Sequence, residues 1–310
     1  MYFPYLRGRQ YELLALRDMA RDGLLSKSII PVVEPVRLTT TFDTVLRTFA
    51  DVQNRMALVF NPAVGEYGGS CHFIDAYCAR GGVVGHVMPA LLMGSNVSVV
   101  LSAMAAQGVT RSNIITILDK RDFLGLYKDQ FSDTAPQYTL YPDERQIKRA
   151  VKRGKVLFTD RFIKQDKNAD YAKNTDEFFS DDHLFFEEEG CVGFGDYSIV
   201  GNKYDESGFA PTAVAIHIVY FASDDTLRMR HFVSDSNVGT EDVAGKYYEA
   251  VTKLVGWYYD GHQGQKTSAL SAFLHHYENG YYPGLPTIKK LSVMHHLELV
   301  GQYLDGGTAR

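Results

Sequence analysis

Glu34, Asn61, Asp119, Asp160 and Asp196 each stand at the end of a short apolar run, and Lys120, Arg161 and Tyr197 follow the last three in turn. Carboxylates gathered in one place can hold a divalent cation through oxygen ligands, or divide the work of general acid and general base. The expected catalytic set is Glu34, Asp160, Asp196 and His217, the last inside an apolar run near its carboxyl end. A divalent cation, if the chemistry uses one, would sit on Asp119, Asp160 and Asp196. Asn61, Lys120, Arg161 and Tyr197 would bind substrate, the arginine through the two-pronged geometry that suits carboxylates and phosphates. These residue types point to an anionic substrate, a phosphoester being the simplest, and to metal-assisted hydrolysis.

Such residues act together only if the fold gathers them. Eight short, β-branched apolar runs lie at residues 29–36, 56–61, 86–93, 114–119, 138–141, 156–160, 191–197 and 213–221, separated mostly by helical patterns. Alternating strands and helices imply parallel strands, and eight of them suggest an α/β fold of the (β/α)8, TIM-barrel-like kind. Such barrels bring the carboxyl ends of their strands to one mouth, where the polar set above would meet. Strand ends also carry polar residues that only cap helices, and a histidine in an apolar strand also serves as a hydrogen-bonded core residue.

The helical patterns fall at 9–22, ahead of the first run, and at 41–53, 71–80, 95–107, 143–154 and, less regularly, 174–189. Residues 201–211 read as a long loop. Residues 227–233 alternate like a strand able to pair with 213–221 as a hairpin, and 245–260, 268–279 and 287–304 read as three helices. In the last of these Ile288, Leu291, Met294 or His295, Leu299 and Tyr303 share one apolar side, with the other side expected in water. The expectation is one barrel-like domain over 1–310, with 245–310 as a helical extension packed on it.

The chain has 310 residues, a net charge of −5 and three cysteines, which gives neither a global nucleic-acid footprint nor a disulfide framework. The amino terminus lacks a signal-peptide pattern, and no apolar run reaches the roughly 18 residues of a membrane span. A cytoplasmic protein without membrane contact is expected. Gly193-Phe194-Gly195 offers close backbone approach beside Asp196, a feature that can serve a phosphate, although it matches no nucleotide-binding fingerprint. Neither His275-His276 nor His295-His296 has the spacing of a same-face chelate, and Cys71, His72 and Cys78 lack zinc-finger spacing. A basic set (Arg145, Lys148, Arg149, Lys152, Arg153, Lys155) and an acidic one (Asp176, Glu177, Asp181, Asp182, Glu187 to Glu189) are solvated faces or surfaces for an oligomer or partner.

The opening Tyr5-Leu6-Arg7-Gly8-Arg9-Gln10-Tyr11-Glu12-Leu13-Leu14-Ala15-Leu16, followed by Ile30-Pro31-Val32-Val33-Glu34-Pro35, resembles the phage beta-protein-like family, in its bacterial branch of uncharacterised proteins. Further similarity lies in Gly195-Asp196-Tyr197, in Ile216-His217-Ile218-Val219-Tyr220 and in 285–300 with His295-His296. The resemblance implies a barrel-like α/β fold and a link to phages or bacterial conflict loci, and brings no reaction or cofactor with it. Two functions follow as expectations. One is a cytoplasmic, defence- or phage-associated enzyme acting on an anionic substrate. The other is a noncatalytic recognition subunit whose basic helix or helical tail engages a protein encoded nearby, or a nucleic acid.

Overall fold

The first barrel strand is the amino terminus itself. The computed structural model describes residues 1–205 and 211–306, so part of the expected loop at 201–211 lies outside the described residues. Eight parallel strands follow one another: β1 (Tyr5–Leu6), β2 (Val32–Val33), β3 (Ala57–Val59), β4 (Met88–Leu92), β5 (Ile115–Ile117), β6 (Tyr138–Tyr141), β7 (Lys155–Phe158) and, after an excursion, β9 (Gly193–Gly195). The ring closes where β1 meets β9. Phe3 N–H donates to the Phe194 carbonyl at 2.8 Å, and Tyr5 N–H to that of Asp196 at 2.8 Å. One buried cluster joins Tyr5, Val32, Val59, Ala90, Ile117, Leu140, Phe158 and Tyr197, from around the whole ring. Only the inside of a closed barrel lets residues from all its strands share one core.

The expected (β/α)8 class therefore holds, with one strand exchanged. Residues 213–221, read as the eighth strand, are not in the barrel. Tyr5–Leu6 takes that place, and at two residues it is too short to carry a periodic signal. As a result α1 (Gln10–Arg21) does not precede the first strand but connects β1 to β2. The glycines of 193–195 serve this closure. A Cβ on Gly193 would lie 2.4 Å from the Met1 carbonyl oxygen, and one on Gly195 2.4 Å from that of Phe3. The close approach read from sequence as a phosphate feature is made to the chain's own first strand.

The other barrel helices are α2 (Thr40–Asp51), α3 (Phe73–Ala79), α4 (Val97–Ala106), α5 (Leu124–Phe131), α6 (Arg145–Ala150) and α7 (Asp182–Phe185). The Thr39 hydroxyl caps α2 by accepting from Phe42 N–H. These elements belong to one compact unit made of Met1–Leu13, Lys27–Asp160 and Asp182–Tyr197.

A second compact unit comprises Leu14–Ser26, Arg161–Asp181 and Ser198–Arg310. Its sheet has β10 (Ala215–Phe221) paired antiparallel with β11 (Leu227–Val233), the expected hairpin, and β11 paired antiparallel with β8 (Asp176–Ser180). The helix pattern at 174–189 is thus replaced by β8 followed by the one-turn α7. Cross-strand ion pairs favour the strand: Asp176 meets Arg228 at 2.6 Å and Arg230 at 3.1 Å. Three helices, α8 (Val243–Tyr259), α9 (Ser268–Glu278) and α10 (Leu285–Leu304), complete the unit. Residues 291–301 of α10 are buried without interruption, so the solvated side expected for this helix is absent there. Among the described residues no helix is long and apolar enough to cross a membrane.

Candidate functional site

Strand alternation decides which residues reach the barrel mouth. Tyr5, Val32, Ile117 and Phe158 point into the barrel, so the residues two positions further, Arg7, Glu34, Asp119 and Asp160, project inward at the carboxyl ends. Tyr197 shares that face after β9 and is 9% exposed. Three of the four expected carboxylates therefore share the mouth, joined by an arginine that the sequence reading missed. The signal for Arg7 was the alternation Phe3, Tyr5, Arg7, hidden in a strand of two residues.

The Glu34 side chain is fully buried and each oxygen has a partner. Oε2 accepts from the Tyr5 hydroxyl at 2.7 Å and from Arg7 Nη1, and Oε1 accepts from Ala63 N–H at 2.6 Å. The Arg7 guanidinium lies over the rings of Tyr5 and Tyr197, 5.3 and 5.6 Å from their centroids. Burial opposes its charge, but Glu34 and the two phenols hold its pKa above the ordinary arginine value. Arg7 and Glu34 thus form a rigid, nearly dry ion pair at the edge of the mouth. With both oxygens bonded, Glu34 holds Arg7 and the Ala63 backbone in place.

Asp119 stands on the exposed rim, yet its carboxyl is sunk far enough that burial raises its pKa. The negative charge of Glu34 adds to this, while Lys120 and Arg7 oppose it. The Tyr197 phenol is pushed well up, first by burial and then by Asp119, Glu34 and Asp160, with Arg7 opposing. It stays a neutral hydrogen-bond donor across the physiological range. On the inner face one cation thus stands against three carboxyl groups.

Asn61, two residues beyond inward Val59, also projects from the inner face, whereas Asp196 and Lys120 do not. Asp196 is adjacent to Tyr197 and so faces the outside of the wall, where Oδ1 accepts from the Tyr2 hydroxyl at 2.8 Å. Asn61 is spent on the backbone: Nδ2 donates to the Leu92 carbonyl and Oδ1 accepts from Leu92 N–H, both at 2.8 Å. This amide extends the β3–β4 ladder and leaves little for a substrate. Lys120 follows an inward residue, so it faces outward and is exposed. Arg161 belongs to the second unit, and so does His217.

His217 lies on β10 beside His231, with its Nδ1 2.7 Å from that of His231, and His231 Nε2 is 3.3 Å from Glu177 Oε1. Burial, then His231 and Lys289, press the His217 pKa well below its ordinary value, so it is a neutral histidine of the second unit's sheet. Asp119, Asp160 and Asp196 do not converge, because alternation sends the last to the opposite face. Among the described residues no three His, Cys, Asp or Glu side chains are grouped to hold a metal ion. No family model matches the chain, and no curated protein is similar to it.

Proposed function

We propose that the barrel mouth is a hydrolytic site working by general acid–base chemistry, with Asp119 as proton donor and Asp160 as the base that activates water. Arg7, locked by Glu34, and the Tyr197 hydroxyl would hold the substrate's polar groups in place. The observation that carries this reading is that Asp119 and Asp160 project from one inner face at the carboxyl ends of β5 and β7, the face that also holds Arg7, Glu34 and Tyr197. Burial favours the protonated form of the Asp119 carboxyl, which suits a proton donor. The excess of carboxyls over cations favours a neutral polar or cationic substrate over the anion that Lys120 and Arg161 suggested. The resemblance to phage beta-protein-like proteins supports a setting in bacterial defence or a phage-associated locus.

The test joins ligand binding to a titration. A fragment screen by protein-observed NMR should give hits that shift Arg7 and Tyr197 signals, and that Asp119→Asn and Asp160→Asn weaken at least tenfold with unchanged melting temperature. The Asp119 carboxyl carbon should titrate above the usual aspartate range. Ordinary titration of Asp119, with hits indifferent to both variants, would overturn the reading.

A further inference from the structure

A groove of about 540 Å³ lies between α5 and α6. Its floor is apolar: Leu124, Tyr127 and Phe131 are buried, and the two rings lie 5.4 Å apart. The Tyr127 hydroxyl is 3.1 Å from Thr139 Oγ1, so an occupant meets the ring and not the polar group. The rim is cationic. Lys128, Arg149 and Lys152 are exposed and line the groove with no carboxylate among the lining residues. Among the described residues none of these three has a carboxylate partner within ion-pair distance. Three uncompensated cations around an apolar floor are notable in a chain of net charge −5.

The same unit carries the converse surface. Phe185, at the end of α7, is 45% exposed, and exposed Glu187 and Glu188 follow it. Glu189 is already taken by Lys148 of α6. We propose that the groove receives this segment from a second copy of the chain, with Phe185 on the Tyr127 and Phe131 rings and Glu187 and Glu188 among the three cations. The two surfaces differ, so the contact is head to tail and grows into chains rather than closing as a two-fold dimer. The contact rests on one aromatic side chain and a few exposed charges, so association is weak and sensitive to salt.

Sedimentation velocity on the whole chain tests this. At about 50 mM salt the mean mass should rise with concentration, and at about 500 mM it should return to the monomer. R149E/K152E lacks the groove charge and E187K/E188K lacks the acidic segment, so each alone should stay monomeric. Mixed, the intact segment of the first and the intact groove of the second should give a dimer that grows no further. Circular dichroism checks that both variants are folded. A monomer at every concentration, or association unchanged in R149E/K152E, would overturn the proposal. Saturable binding of a glutamate-rich peptide to a chain that never self-associates would overturn it too, and would assign the groove to a different acidic partner.

Discussion

His217 Nδ1 lies 2.7 Å from His231 Nδ1, a separation that holds one proton and excludes two. His231 Nε2 faces Glu177 Oε1, so that nitrogen carries the hydrogen and His231 Nδ1 accepts. His217 must then be protonated on Nδ1. Nitrogen-15 spectra of the imidazoles should show this tautomer for His217 and the opposite one for His231. Two Nε2-protonated rings would rule the pairing out.

Acid should destabilise the fold through its buried histidines, His231 among them. Burial lowers His231 and His295 to about 4 and His296 to about 3. In the unfolded chain each titrates near 6.5, so below that value the unfolded state binds more protons. Their stabilising effect is complete above about pH 6.5 and is lost as pH falls toward 4, at about 1.4 kcal/mol per pH unit for each residue. Urea denaturation at pH 7, 6 and 5 should show a steepening loss. A flat profile would mean that these rings are protonated in the folded protein.

Glu34→Gln should cost about 3 kcal/mol or more, because it leaves the mostly buried Arg7 without its counter-charge. The measurement is chemical denaturation at neutral pH. A cost below about 1 kcal/mol would show that water screens the pair, as in surface ion pairs.

Asn61→Ala and Asp196→Asn separate structural polar groups from mouth residues. The first strips the Leu92 N–H and carbonyl of their partner and should cost about 2 kcal/mol. The second keeps an oxygen acceptor for the Tyr2 hydroxyl and faces away from the mouth, so fragment affinity there should be unchanged. A tenfold loss of affinity in Asp196→Asn at constant stability would return that residue to the site.

Leu291→Asp places a charge in the stretch of α10 that is buried all round, and should abolish cooperative folding of the second unit. Gln302→Asp, on an exposed position of the same helix, should leave the melting temperature within a few degrees. Equal behaviour of the two variants would show that α10 is not core.

The sequence by itself determined the barrel and part of its mouth. Runs such as 114–119 and 156–160 are apolar on both faces because a parallel strand between barrel interior and helix layer meets no water, and their ends located Asp119 and Asp160. The α9 and α10 segments were equally legible, since helical periodicity is a local property. Only the tertiary structure decided which strand closes the ring, because two residues at Tyr5–Leu6 cannot show a period, whereas seven at Ala215–Phe221 can do so in any sheet. Closure made Gly193 and Gly195 necessary, and the pairing of β1 with β2 brought Arg7 to Glu34. It also fixed register, and a one-residue step turns a side chain through the wall. That step separates Tyr197, inside the barrel, from Asp196, bonded to Tyr2 on the outside.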